Sequence, residues 1–161
     1  MAIQLTDADI GVLLAERKEL PADFLNSIKL KSKMGHKEFE KGITGEDGSL
    51  FRLIIRQSEF NLLDFSIILI YQQPKSNQQF RLRRYNGKSH EHTNKIEKQT
   101  FFGFHIHTAT ERYQQSGYRE DAYAEDTDRY ADYHGAIECM VRDCGFVVSD
   151  NNQSLAMWGM K

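Results

Sequence analysis

The sequence predicts an α+β domain: an antiparallel meander of about five strands, two N-terminal helices and one long C-terminal helix packed on the core face. Three observations carry this expectation. Apolar and polar residues alternate with a period of two in several segments between residues 36 and 107. Apolar residues at three-to-four spacing fall near the two ends of the chain. Gly45-Glu46-Asp47-Gly48 is a turn signal between two alternating segments, as in a β-hairpin. No repeat, low-complexity segment or linker divides the 161 residues. The chain therefore reads as one domain, 1–161, with a helical hairpin at 1–35, the sheet at 36–107 and a helical part at 108–161.

Taken in order, Thr6 is an N-cap, and Asp7 and Asp9 suit the positive end of a helix. Ile10, Leu13 and Leu14 continue it to about residue 19. Pro21 fits the first turn of a second helix, whose apolar stripe is Phe24, Leu25, Ile28 and Leu30. Packing on the sheet is the expected role of both. Residues 37–44 and 50–57 form the hairpin. In its second strand Phe51, Leu53 and Ile55 share one face, and Arg52 and Arg56 share the other with Ile54 between them. Residues 65–71 are apolar on both faces, as in a central strand. Residues 72–78, with Pro74 and Asn77, are a loop. In the strand at 80–85, Phe80 and Leu82 face the core, so Arg81, Arg83 and Tyr85 face out.

Gly87 marks a bulge or tight turn. A bulge there would turn His90 and His92 onto the face of Arg81 and Arg83. Polar residues 93–98 reverse the chain. In the strand at 101–107, Phe102, Phe104 and Ile106 take the core side, and Gly103, His105 and His107 the other. The two histidine-bearing strands form a hairpin that brings both pairs together. A short helix at 109–115 ends at Gly117. Asp126 or Thr127 caps a helix at 128–143, with the stripe Tyr130, Tyr133, Ile137, Met140, Val141 and Cys144. Gly145 ends that helix. Phe146-Val147-Val148 adds a short strand, and residues 151–161 show little pattern beyond Trp158.

Composition sets bounds on function. A content of 40% hydrophobic and 27% charged residues is that of an ordinary globular domain. A net charge of -2 excludes a basic glove for nucleic acid, so any such binding must use a local patch. Cys139 and Cys144 lack the spacing of a zinc knuckle or a disulfide framework and suit a reducing cytoplasm. Residues 1–7 lack the basic start and long apolar run of a signal peptide. The longest apolar run, 65–71, suits a strand and not a membrane span. The expected location is cytoplasmic, with no membrane partner.

Four of the six histidines lie in two His-x-His pairs, His90/His92 and His105/His107, just after Arg81, Arg83 and Arg84. Residues two apart on a strand share a face, so each pair sets two imidazoles side by side. Imidazole exchanges protons near neutral pH, and arginine holds phosphate oxygens in a planar fork. The preferred reading is metal-free phosphoryl chemistry on a nucleic acid or nucleotide, with no cofactor. One or two of His90, His92, His105 and His107 act as general acid and base. Arg52, Arg56, Arg81, Arg83, Arg84 and Asn86 hold the substrate, and Tyr85 stacks on a base. Two other readings stand beside it. One is a histidine-ligated, metal-dependent hydrolase, with Asp126 or Asp128 adding an oxygen ligand. The other is a non-catalytic interaction module that uses the acidic, tyrosine-bearing segment 118–133. His36 and His134 are lone histidines on the surface or a helix face.

Arg84-Tyr85-Asn86, then His90-x-His92, then Phe104-His105-Ile106-His107 resemble the TumE-like small toxin proteins over about residues 50–110. That group carries an Arg-x-Asp/Asn element, a histidine and a later His-x-His on consecutive strands of a small α+β domain. The resemblance implies the toxin half of a bacterial toxin–antitoxin or defence module, acting on RNA or a nucleotide in a ribonuclease-like manner. The partners it implies are that substrate and a small antitoxin protein, and self-association to a homo-oligomer is a further expectation. Phe101-Phe102-Gly103 departs from the pattern, where a proline-bearing approach is expected. The N-terminal helices and the acidic segment are additions to it.

Overall fold

The computed structural model of the chain describes residues 3–149. The element order is α1 (Asp7–Ala15), β1 (Lys18–Leu20), α2 (Phe24–Ser27), β2 (Lys31–Lys33), β3 (His36–Thr44), β4 (Leu50–Ser58), β5 (Phe65–Gln72), β6 (Gln79–Asn86), β7 (His92–Asn94), β8 (Gln99–Phe101), β9 (His105–Thr108), α3 (Glu111–Gln115), β10 (Ala124–Asp126), α4 (Tyr133–Asp143) and β11 (Phe146–Val148). Among the described residues, β10-β9-β6-β5-β4-β3-β2 form a seven-stranded sheet, antiparallel throughout. β1 and β11 pair in parallel, and β7 and β8 form a separate antiparallel pair. The α+β class and the antiparallel sheet match expectation. The sheet is wider than the expected five strands because β2 and β10, three residues each, are too short to display a periodicity.

The alternation in the long strands makes a two-faced sheet. Phe51, Leu53 and Ile55 of β4, with Phe65, Ile67 and Leu69 of β5, bury into the main core. α4 covers this face with Ala136, Ile137, Cys139 and Met140. Ile54, Ile68 and Ile70 form a second small cluster on the opposite face, beside Arg52 and Arg56.

The N-terminal part departs from a helical hairpin. α1 keeps its Thr6 cap, with Asp9 N–H donating to Thr6 Oγ1 and Thr6 N–H to Asp9. It stops at Ala15, short of residue 19, because the chain is drawn back into β1. The Lys18 side chain is fully buried, and its ammonium lies 2.7–3.2 Å from the carbonyls of Leu13, Leu14, Glu16 and Cys144. One cation thus serves the ends of α1 and α4, where carbonyls lack helical partners. α2 is a single turn. Ile10, Leu14, Leu20 and Phe24 of this region still pack into the core.

The C-terminal helix starts later than expected. Asp132, not Asp126 or Thr127, caps α4 by accepting from Gly135 N–H at 2.8 Å. Asp126 instead belongs to the edge strand β10. Gly145 ends the helix with φ +75°, and Gly117 follows α3 with φ +83°. Residues 151–161, with Trp158, lie outside the described residues.

Three further corrections concern the histidine region. The strand expected at 101–107 is broken between β8 and β9, and Phe102 is 66% exposed instead of facing the core. The histidine strands do not pair with each other. β7 pairs with β8, while β9 inserts between β6 and β10. The bulge expected at Gly87 is absent there. Gly87 instead lies where a Cβ would stand 1.9 Å from the Leu63 carbonyl oxygen, and its N–H donates to Phe65 O. The register shift falls at Leu82: Ile70 pairs with Arg81, and Leu69 with Arg83. One extra residue reverses the facing of everything after it.

Candidate functional site

The Leu82 bulge decides which side chains reach the histidines. Before it, Phe80 is opposite Tyr71 and Arg81 opposite Ile70; after it, Arg83 lies opposite core residue Leu69 and Tyr85 opposite core residue Ile67. Arg83 and Tyr85 therefore turn toward α4, contrary to the expected outward facing. Tyr85 is fully buried and donates to Asp143 Oδ2 at 2.7 Å, so it cannot stack on a base. Arg83 donates to the same phenol oxygen at 3.2 Å. Arg84 and Asn86 turn the other way. Across the next pairing Arg84 is opposite His107 and Asn86 is opposite His105.

His105 and His107 flank Ile106 on the expected face, opposite the main core, and each is only 4% exposed. Their cover is not a helix. It is the β7–β8 hairpin, which lays His92 and Phe101 over them, and the segment 117–122. The rings of His92 and His105 stack with centroids 5.3 Å apart. His107 meets His92 edge-on at 4.7 Å and His105 at 5.1 Å. One ring nitrogen from each of the three lies within 4.8 Å of the others.

Each imidazole is oriented by an oxygen on its far side. His105 Nδ1 lies 2.9 Å from Gly103 O, and His107 Nδ1 lies 2.7 Å from Asp121 O. A carbonyl oxygen can only accept, so each Nδ1 carries the proton and each Nε2 is left with its lone pair. Asn86 supports this assignment. Ser66 Oγ donates to Asn86 Oδ1, which turns the amide nitrogen toward His105 Nε2 at 3.4 Å. His92 Nε2 lies 2.8 Å from Asn94 Oδ1. That oxygen also accepts from Ala124 N–H at 2.9 Å, while Asn94 Nδ2 donates to Ala124 O at 2.7 Å. The amide is thus fixed, and His92 donates to it through Nε2, leaving Nδ1 as its other ring nitrogen. Burial holds both sheet histidines below the ordinary imidazole range. For His107 the Arg84 charge adds to burial and takes the pKa to about 2. These are neutral imidazoles at pH 7.

Beside them is a buried acid–base cluster. Asp121 is fully buried, with Arg84 Nε at 3.2 Å and Arg119 Nη2 at 3.3 Å. These are ion pairs at poor hydrogen-bond angles, and both Asp121 oxygens lack an aligned donor. Two guanidiniums share one carboxylate, which leaves one positive charge at the rim.

The site is a cavity of about 810 Å³, lined among others by Ser66, Arg84, Asn86, His90, Tyr118 and Arg119, with His92, His105 and His107 in its wall. A smaller hollow of about 210 Å³, lined by His36 and Arg56, shares the wall Asp64-Phe65-Ser66 with it. Of the residues expected to form the site, His90, His92, His105, His107, Arg84 and Asn86 are brought together. Arg56 lies in the adjoining hollow and is paired to Glu38. Arg52 and Arg81 share the face farther along, Arg52 in an ion pair with Glu40. Asp126 and Asp128 are exposed and outside the histidine cluster.

Sequence reasoning missed Asn94, Arg119 and Asp121. Asn94 carried a usable signal, since it continues the two-residue spacing of His90 and His92. Asp121 carried none, being one acid among several in a polar stretch. No protein-family model, curated protein or solved structure matches the chain.

Proposed function

We propose that the protein catalyses phosphoryl transfer or hydrolysis on a nucleic-acid or nucleotide substrate in the histidine-lined cavity. The observation that carries the reading is the meeting of Arg84 and three imidazoles, those of His92, His105 and His107, in one cavity of about 810 Å³, within the size range of pockets for molecules of nucleotide size. Arg84, with Arg119 beside it, holds non-bridging phosphate oxygens, where charge builds during transfer. The imidazole cluster activates the attacking hydroxyl or water. His90, exposed at the mouth, returns a proton to the leaving oxygen. Tyr118, 42% exposed and in the cavity wall, replaces Tyr85 as the surface for a base. In the setting the TumE-like resemblance implies, this chain is the toxin of a bacterial module, cytoplasmic and held in check by a small antitoxin protein.

The test is purified protein incubated with end-labelled single-stranded RNA, DNA and mononucleotides, beside controlled expression in a bacterial host. The expected result is cleavage or modification of one substrate class by wild type and its loss in His105→Ala/His107→Ala. Growth arrest should be relieved by the same double substitution. A folded wild type that alters none of these substrates and arrests no growth overturns the reading.

A second reading is favoured by one specific feature. Met34 is 98% exposed, Phe60 87% and Leu62 67%. Their loops adjoin, since Glu59 N–H donates to Gly35 O at 3.3 Å. This apolar rim beside Asp64 suits self-association into a homo-oligomer. Sedimentation of wild type and Phe60→Ser/Leu62→Ser checks it, and a monomer at high concentration refutes it.

Among the described residues, no helix is long and apolar enough to cross a membrane.

A further inference from the structure

We infer that His92, His105 and His107 form a three-imidazole site for one divalent transition-metal ion of the zinc class, and that this ion activates the nucleophile at the cavity proposed above. The substrate half of this statement rests on that reading; the metal half stands on geometry alone.

Three nitrogens no more than 4.8 Å apart lie near a common centre. At the limit of that spacing each would move inward by about 0.7 Å to reach a metal–nitrogen distance of about 2.1 Å, a shift that small ring rotations supply. The protonation pattern is the one a metal site requires. Every imidazole donates its far N–H to a fixed oxygen, Gly103 O, Asp121 O or Asn94 Oδ1, so the remaining nitrogen of each is the one that can ligate a metal. Among the described residues, the amide of Asn86 approaches His105 Nε2 at a long 3.4 Å.

The ligand set also favours a catalytic site over a structural one. Three neutral nitrogens leave the full divalent charge uncompensated and leave coordination positions vacant toward the cavity. The buried carboxylate nearest the cluster, Asp121, is occupied by Arg84 and Arg119, so it does not close the fourth position. The same guanidiniums stand where an anionic ester would approach the cation. A divalent ion held this way supplies Lewis acidity and lowers the pKa of bound water.

The test is titration of the untagged, chelator-treated full chain with cobalt(II), followed by visible d–d absorption and calorimetry, then zinc(II) competition. The expected result is one equivalent bound, with a band typical of nitrogen and oxygen ligands and no thiolate charge transfer. His92→Ala, on the separate hairpin, should weaken binding at least tenfold while leaving the far-ultraviolet spectrum of the main sheet intact. Asn94→Ala, which removes the oxygen that accepts from His92 together with the clamp on Ala124, should weaken it by roughly ten- to a hundredfold. No stoichiometric cobalt in folded wild type overturns the inference, as does binding unchanged in both His92→Ala and His105→Ala. The two ideas separate cleanly. Substrate turnover that persists in chelator with no metal bound removes the metal and keeps the phosphoryl reading. Tight metal binding with no turnover of any phosphate ester does the reverse.

Discussion

Replacing Asn94 with alanine tests whether one side chain holds the histidine cluster together. Asn94 is 1% exposed, and Ala124, its backbone partner, is equally buried. The amide takes the place of a neighbouring strand: it accepts from Ala124 N–H at 2.9 Å, donates to Ala124 O at 2.7 Å and receives the His92 N–H at 2.8 Å. Alanine leaves a buried N–H and C=O without partners. Each costs about 1–3 kcal/mol when orphaned, so the expected loss is about 3 kcal/mol. At roughly 2–4 °C per kcal/mol for a chain of this size, the melting temperature should fall by about 6–12 °C. Circular dichroism melts measure the loss. Backbone amide exchange at Ala124 shows where it arises, because detachment of the β7–β8 hairpin should expose that amide well before global unfolding. A variant within about 1 kcal/mol of wild type, with Ala124 still protected, would refute the clamp.

Two further expectations follow from other parts of the fold. Gly87→Ala places a Cβ 1.9 Å from Leu63 O and 3.0 Å from Phe65 N, both backbone atoms, so the chain must separate there. It should cost about 2–4 kcal/mol by overpacking and by weakening the bonds from Gly87 N–H and Lys88 N–H; a urea midpoint equal to wild type would contradict this. Asp143 supplies a pH dependence. Burial pushes its carboxyl up, but hydrogen bonds from Arg129 and Tyr85 and the charges of Arg129 and Arg83 outweigh burial and hold it below the ordinary range. The folded state therefore binds this proton less readily than the unfolded chain. Its stabilisation is present above about pH 4 and fades as pH falls through the folded value. Urea unfolding should show the gap between wild type and Asp143→Asn narrowing below pH 4, and a constant gap would deny the effect.

The parts of this fold that were legible in the sequence are those fixed by local pattern. Phe51, Leu53 and Ile55 alternate, and they bury on one face. Gly48 sits in the hairpin turn at φ +92°, a conformation that favours glycine, and the turn residues announce it. His105 and His107 flank Ile106 and share a face as their spacing requires. The misreadings come from non-local contacts. Residues 16–19 have an acceptable helical composition, yet Lys18 is turned inward by carbonyls as distant in sequence as Cys144. Asp126 and Thr127 look as good a cap as Asp132, and the edge pairing of Ala124–Asp126 with β9 decides between them. Asp121 is invisible as a site residue because its meaning depends on Arg84, 37 positions earlier in the sequence.

The Leu82 bulge shows how a site can hinge on a residue that touches none of its chemistry. Arg83 and Arg84 are adjacent and chemically identical, so composition cannot assign them. With regular pairing after Phe80, Arg83 and Tyr85 would lie on the histidine face, and Arg84 and Asn86 would point under α4. The extra residue inverts this. Arg83 joins Tyr85 and Asp143 beneath the helix, where Arg129 completes the charge balance. Arg84 and Asn86 face His107 and His105. The same inversion puts the phenol of Tyr85 into the core, where it packs on Tyr130. Tyr130 in turn donates to Asn86 O and lies within bonding distance of His105 O, at 2.8 and 3.1 Å. Core packing beneath the sheet and site geometry above it are thus joined through one backbone irregularity. Shifting that irregularity by one residue would disrupt both faces at once.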